Sequence, residues 1–455
     1  RYRSTAKDGQ PDAVVVIDPL STGARLAKMA LDRGFAVIRV MSGHFPPELI
    51  DMIPANCAGL KYEATFTYEG DAAVMVAQLK NMPFHILGVL IGCESGVECC
   101  DEISAAFDGF PTNGIEHSAA RRDKYPMGEA VRNAGLRAVK QVEVSSWEEA
   151  LPFLGELGVA TQQEATPESP WCVLKPTKSA GSDGVFVAKD LAEAEMRFGD
   201  IFGKANVFGE ANQTVLVQEF LKGTEYVIDS VSVEGQHKCV AIWEYDKRPR
   251  NGAQFVYFGM RLYQSVDGAR EEAMKQYTHQ VLDALNVRHG PSHAEVMWLH
   301  GEEAPCLVEV GCRPHGGEGT FVDLVEPASC IGYSKLSVML DAVEKPYRFH
   351  RLPSRPEHFD GGAMEVCLVC YEEGKLVGYP GLEQIKSLPS FHSVEIKTKP
   401  GDSICKTIDF MTTPGSVMLV HESGAQVEED AEFIHTLEEE GKLYNIIRPV
   451  RIMSF

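Results

Sequence analysis

Over the first 117 residues, apolar and polar positions come in alternating blocks. DAVVVIDPL (12–20) is an almost unbroken apolar run closed by a proline, and predicts a buried strand. STGARLAKMALDRG (21–34) opens on Ser21 and Thr22, spaces its apolar residues helically and stops at a glycine, so it predicts a capped helix. FAVIRVM (35–41) and FHILGVLIGC (84–93) read as further strands. Strand and helix in alternation imply a parallel sheet covered by helices.

The pattern then changes. Residues 117–146 predict a helix, a glycine stop and an extended segment, and SWEEALPFLGELG (146–158) an amphipathic helix. A loop rich in Thr, Gln, Glu and Pro fills 161–170. Strands dominate from Trp171 to Val310, with helices near 190–202 and 268–286; from about 356 strands return, with a helix at 428–440. The fold class is therefore α/β, turning to α+β in the middle and C-terminal parts. The divisions fall at 1–117, 118–214 and 215–455, with a subdomain from about 356. That number suits a 455-residue chain at roughly 150 residues per domain.

Charge and cysteine content narrow the function. A net charge of −22 repels a phosphate backbone, so a nucleic-acid partner is not expected. ATP stays compatible, because Mg²⁺ and a local Lys/Arg cluster reverse the sign inside a cleft. FHILGVLIG is far shorter than the ~20 residues of a membrane span. Twelve scattered cysteines fit a thiol-rich cytoplasmic protein rather than a disulfide scaffold. Cys367 and Cys370 form a C-x-x-C in an alternating, strand-like stretch, where residues three apart face opposite sides; like Cys99 and Cys100 they read as packing. The sequence starts at Arg1, which leaves a removed targeting segment open.

Four stretches carry candidate chemistry. In DPLSTGARLA, Ser21, Thr22 and Gly23 offer either a nucleotide-binding turn or a plain helix cap, and without G-x-G-x-x-G the cap is favoured. In WCVLKPTKSAGSDGV, Lys175 ends an apolar run and a small-residue loop follows, with Ser179, Gly181, Ser182 and Gly184. A lysine there reaches the α- and β-phosphates of a nucleotide, and backbone N–H groups close over them; a surface hairpin is the plainer alternative. In VLVQEFLKGTEYVIDSV, Glu219, Phe220 and Leu221 offer backbone groups and apolar flanks to an adenine, and Glu225 a carboxylate to a ribose. In PSHAEVMWLHGEEAPCLVEVGCRPHGG, two strands flank a polar turn. If Glu295 opposes Glu309, then His293 opposes Gly311, and His293, Glu295, Glu309 and Arg313 share a face. Facing carboxylates repel unless a cation lies between them, and hard oxygen ligands with open positions suit Mg²⁺.

In this order the stretches, with RRDKYPMGEAVRNAGL before them, resemble the ATP-grasp superfamily over roughly 117–320, the flanks following by architecture. The resemblance implies an ATP-grasp fold with an N-terminal parallel-sheet domain, a small lid domain and a large catalytic domain. It implies that Lys124 and Lys175 contact ATP, that Glu219 to Leu221 form the adenine hinge and that Glu225 holds the ribose. It also implies that Glu295 and Glu309 ligate Mg²⁺ and that Arg313 steadies the acyl phosphate. The metal strand departs from the family's Glu, apolar, Asn, x, Arg: Gly311 stands where Asn is usual, so a second Mg²⁺ would take a water or substrate ligand. The HAE and E-V-x-x-R-x-x-G-G pattern, with a tail reading GYPGLEQIKSLP and KPGDSI, is similar to the L-amino-acid ligase and carnosine synthase branch.

The expected function is an ATP-dependent ligase that joins a carboxylate to an amine through an acyl phosphate, giving an amide or dipeptide, ADP and phosphate. The alternatives are a purine-pathway or carboxylase-type ATP-grasp enzyme, or a non-catalytic ATP-binding regulator. Expected cofactors are ATP and one or two Mg²⁺, with Mn²⁺ as a substitute. Expected partners are small acid and amine substrates, with no membrane and with homodimerisation left open. His293 contacts the reacting carboxylate or orders Glu295, and Lys247 approaches the γ-phosphate. Specificity is expected in 244–264 and 312–323, from Lys247, Arg248, Arg250, Arg261, His315 and Glu318 beside Phe255, Tyr257 and Phe258.

Overall fold

The structure is a computed structural model that describes residues 9–43, 53–166, 168–179, 183–206, 209, 211–265, 267–325 and 332–448. The N-terminal part contains β1 (Asp12–Ile17), α1 (Thr22–Asp32), β2 (Ala36–Met41), β3 (Ala64–Thr67), α2 (Ala72–Lys80), β4 (His85–Ile91) and α3 (Val97–Ala106). Its sheet is parallel, in the order β3-β2-β1-β4. Ala13 to Ile17 are fully buried because both faces of β1 are covered, which is why the run is continuous rather than alternating. Each such valine or isoleucine contributes about 1.5–3 kcal/mol of burial. The chain runs outward from β1 to β3 and returns on the other side with β4. The strand order therefore reverses between β1 and β4, and such a point leaves a crevice at the carboxyl ends of the strands.

The middle part holds α4 (Lys124–Asn133), β5 (Gln141–Val144), α5 (Trp147–Leu157), β6 (Cys172–Lys175), β7 (Phe186–Ala188), α6 (Leu191–Ile201) and β8 (Val215–Glu219). The four strands make an antiparallel sheet in the order β5-β8-β6-β7. Ser146 and Asp190 cap α5 and α6 with their side chains, and both helices share one apolar core with the sheet. Although β8 follows the residue-214 boundary expected from sequence, its hydrogen bonds lie within this sheet.

The third part comprises β9 (Gly223–Val233), β10 (Gln236–Arg250), β11 (Ala253–Leu262), α7 (Ala269–Ala284), β12 (Gly290–Leu299), β13 (Ala304–Gly311), α8 (Thr320–Val325), α9 (Lys335–Glu344) and α10 (Pro346–Arg351). It continues with β14 (Gly362–Cys367), β15 (Gly374–Gly378), α11 (Leu382–Lys386), β16 (Phe391–Ile396), β17 (Ser403–Ile404), β18 (Gly415–His421), α12 (Gly424–Glu439) and β19 (Asn445–Ile447). An eight-stranded sheet runs β13-β12-β9-β10-β11-β14-β18-β16, and a small one β17-β15-β19. Alternation sorts β9: Tyr226 and Ile228 pack with residues of α7, whereas Val227 and Val231 pack with residues of β1, α1 and α9. Arg121, fully buried, joins Asp101 on α3 at 3.0 Å to the Leu285 carbonyl at 3.0 Å, tying the first part to the end of α7. Removing one partner of a buried pair of this kind costs about 3–5 kcal/mol.

One local expectation is corrected. Cys367 ends β14 and Cys370 lies beyond it, so the two do not alternate on one strand. Both are buried free thiols, and burial pushes each thiol up, Cys370 to about 11, which leaves them inert.

Candidate functional site

One face of the large sheet carries the chemistry. β12 and β13 pair with Glu295 opposite Glu309 and His293 opposite Gly311, as the alternation requires. Two cavities open over this face. The larger, about 490 Å³, lies between it and the lid sheet and is lined by Lys124, Lys175, Ser179, Phe220, Leu221, Glu225 and Lys247 among others. The smaller, about 200 Å³, faces the N-terminal part. Tyr245, Tyr257, Glu295 and Glu309 line both, so the cavities meet at the paired glutamates.

Charge is concentrated at this junction. Lys124 Nζ lies 3.0 Å from Glu309 Oε2 and also donates to the Ser179 carbonyl at 2.7 Å. Its ammonium thus offsets the charge of Glu309, one of the two opposed glutamates. Lys175, at the end of β6, is buried; burial pulls its ammonium down to about 8, with Glu309 opposing that shift. Lys247 donates to Glu225 at 2.6 Å and lies over the Tyr245 and Tyr257 rings, 4.6 Å from each centroid. Burial lifts the Glu225 carboxyl above its usual range, with Glu295 adding to the rise. Burial also opposes charge on Glu295, but Lys247 and His293 outweigh it and keep that carboxyl low. Of two neighbouring carboxyls, one is thus held below the usual carboxylate range and the other above it.

At the end of β8, the Glu219 carboxylate is taken by Arg137 at 2.8 Å and by the Lys140 backbone N–H at 2.8 Å, and the Glu219 N–H donates to the Lys140 carbonyl at 3.0 Å. Phe220 packs on Trp171 with centroids 5.3 Å apart. In the loop after β6, the Ser179 hydroxyl donates to Asp183 at 2.6 Å, and Gly184 has φ +66°, where a Cβ would press on Pro176. Gly181 and Ser182 lie outside the described residues.

The smaller cavity shows what sequence reading missed. Leu20 to Thr22 follow β1 and Gly92 to Ser95 follow β4, and both segments line it at the strand-order reversal. A Cβ on Gly23 would come within 2.7 Å of Gly92 Cα, so glycine lets the two ends approach. Glu94 accepts from Arg313 Nε at 2.9 Å and lies 3.7 Å from Arg122. A Cβ on Gly311 would sit 2.9 Å from Glu94 Oε2 and 3.0 Å from Arg313 Cζ. The missing side chain at 311 thus leaves room for Glu94 and Arg313 to meet at the end of β13. The expected capping turn is also different: Ser21 has φ 48° and makes no side-chain capping bond, and the Thr22 hydroxyl donates to the His315 carbonyl at 2.6 Å. The turn therefore braces the smaller cavity and does not line the larger one. Carboxyl-end position in a parallel sheet was the signal available for both segments.

The expected specificity residues separate. Lys247, Phe255 and Tyr257 line the larger cavity, and His315 the smaller. Arg248 is spent on Asp246 at 2.7 Å and on the Phe258 ring, Arg250 faces Glu439 at 3.6 Å, and Arg261 binds Glu244 at 3.1 Å. These three arginines and Phe258 line neither cavity. The side chain of Glu318 lies outside what is described.

Among the described residues, no helix is long and apolar enough to cross a membrane. The ATP-grasp domain family matches residues 168–321, and the L-amino acid ligase C-terminal domain 2 family matches residues 367–435. Dapdiamide A synthase of Enterobacter agglomerans is 30% identical over 430 residues, 94% of this chain and 96% of that protein. Alanine–anticapsin ligase of Bacillus subtilis (strain 168) is 26% identical over 45% of this chain and 44% of that one. The crystal structure of an L-amino acid ligase from Bacillus licheniformis superposes with a TM-score of 0.70 at 18% identity, over 97% of this chain and 99% of that one. With a near-full-length relative at this identity and both family matches in the expected order, the chain belongs to the ATP-grasp superfamily, in the branch of the L-amino-acid ligases.

Proposed function

We propose that the protein joins the carboxylate of one amino acid to the amino group of another through an acyl phosphate, splitting ATP to ADP and phosphate. The observation that carries this reading is the meeting of two cavities at Glu295 and Glu309. A triphosphate in the larger places its γ end at a carboxylate held in the smaller. Glu219 to Leu221 present the hinge to the adenine, and Glu225 turns from Lys247 to the ribose. Lys124 and Lys175 take the phosphates, with Ser179 of the loop after β6 beside them. Lys247, released by Glu225, meets the γ-phosphate. Glu295 and Glu309 would hold Mg²⁺, or Mn²⁺ in its place, and two carboxylates opposed across paired strands fit such an ion. Bound there, it would neutralise charge on the transferring phosphoryl group.

The acid's oxygen attacks the γ-phosphorus and the bond to ADP breaks. The amine then attacks the acyl carbon, the C–N bond forms and phosphate leaves. Arg313, aimed by Glu94, meets the charge that grows on the acyl phosphate. The lid excludes water that would otherwise hydrolyse it. His293 orders Glu295, its Nε2 lying 3.5 Å from Oε1. A cavity of about 200 Å³ with both charge signs and the apolar Leu20, Met260 and Phe410 suits amino acids better than a ribonucleotide acid. ADP release measured over pairs of the twenty L-amino acids should rise at least about tenfold over the ATP-only rate for a restricted set of pairs. A uniform background across all pairs would sink the amino-acid assignment.

A further inference from the structure

Below the junction of the cavities, Asp229 on β9 is buried among four donors. Its Oδ2 accepts from Trp243 Nε1 at 3.1 Å and faces His315 Nδ1 at 3.2 Å. Its Oδ1 faces His293 Nδ1 at 3.4 Å and accepts from Lys335 Nζ, which also donates to the Ser292 carbonyl at 2.7 Å. The two imidazoles lie 4.1 Å apart, each with Nδ1 on Asp229 and Nε2 turned to the site: His293 toward Glu295 at 3.5 Å, His315 toward the Tyr245 hydroxyl at 3.4 Å.

Ligand atoms of Asp229, His293 and His315 lie within 4.8 Å of one another, a spacing a metal could use. The Lys335 ammonium already supplies the cation and the Trp243 N–H takes an Asp229 oxygen, so the cluster is a brace. Burial opposes charge on Asp229, yet the Lys335 ammonium, with the hydrogen bonds from His293 and His315, outweighs it and keeps the carboxyl ionised. An ionised carboxylate only accepts, so a neutral His315 must carry its proton on Nδ1. Burial, then His293, pulls the His315 ring down to about 3, so it is neutral at working pH. Its Nε2 is then a bare lone pair. Tyr245 at 3.4 Å engages it weakly, since a strong bond would be nearer 2.8 Å.

We propose that Asp229 is a positioning residue of the ligation site: it fixes His315 with Nε2 as a bare acceptor in the smaller cavity, where that atom receives an N–H of the incoming amine. The amine contact rests on the amide-forming reading above, whereas the tautomer does not. A neutral acceptor at this point selects the uncharged amine orientation, with its lone pair turned to the acyl carbon. The carboxylate–imidazole arrangement controls tautomer here as it does in hydrolytic triads.

The test uses full-length protein labelled with ¹⁵N-histidine and long-range ¹H–¹⁵N correlation, with His315 assigned by its loss in His315→Gln. In the unsubstituted protein His315 should be protonated at Nδ1 and bare at Nε2. In Asp229→Asn that pattern should flip or average, and kcat for ADP release should fall at least tenfold while KM for ATP moves less than twofold. Asp229→Asn/Lys335→Gln, which removes the stranded ammonium, should recover any lost Tm and leave kcat low; recovery of kcat would reduce Asp229 to a structural role and overturn the proposal. His315 protonated at Nε2, or a kcat unchanged in folded Asp229→Asn, would also overturn it. The predicted tautomer in a protein that releases ADP with no amino-acid pair would instead overturn the ligase reading, and the amine contact with it.

Discussion

Glu309→Gln should lower amino-acid-dependent ADP release by about 10³-fold, roughly 4 kcal/mol of transition-state stabilisation, with ATP affinity falling less than tenfold. Glutamine keeps the shape of the side chain, removes its charge and turns one acceptor oxygen into a donor. Glu309 faces Glu295 across two strands and carries the Lys124 ammonium at 3.0 Å, so it sits where transferring charge must be neutralised. Residues 219–221, the proposed adenine hinge, are untouched by the substitution. Steady-state kinetics beside a fluorescent-nucleotide titration separates the two effects. An equal loss of binding and turnover would mean that Glu309 serves nucleotide binding alone.

Lys175→Met should weaken ATP binding by about 10²-fold, near 2.7 kcal/mol, the scale of charge-assisted hydrogen bonds in a buried site. The side chain ends β6 inside the larger cavity, and burial has already stripped it of water, so the ammonium is held ready for an anion. Methionine matches its length and suits the apolar surroundings, so Tm should stay the same or rise. Isothermal titration with ATP, beside a thermal melt, checks both. A well-folded variant with unchanged affinity would remove Lys175 from the phosphate site.

How much of this was legible from sequence depended on distance along the chain. The β1 block, the helix after it and the β12–β13 register follow from local periodicity, because each pattern is set by residues within one hairpin or one turn. Lys175 was legible because a lysine ending an apolar strand before a small-residue loop is a local oddity. Glu94, Thr22 and Asp229 were not, because their partners Arg313, His315 and Lys335 are 219, 293 and 106 residues away. Nor was the role of Gly311. As a departure from a motif it removes a ligand oxygen, whereas in three dimensions it makes room for Glu94. Arg248 and Arg250 were misjudged because Phe258 and Glu439, which take them up, come from other elements and meet them only in the fold.

Acyl-phosphate formation is tested most directly by withholding the amine. With the preferred amino acid as acid, Mg²⁺, ATP and hydroxylamine, the enzyme should form the amino-acid hydroxamate in step with ADP and phosphate. In the proposed site the lysines at the cavity junction, with the Mg²⁺ that Glu295 and Glu309 would hold, neutralise the γ end of the triphosphate, where that transfer occurs. Hydroxamate accompanied by AMP and pyrophosphate in equal amounts would show activation at the α-phosphate and contradict the proposed chemistry.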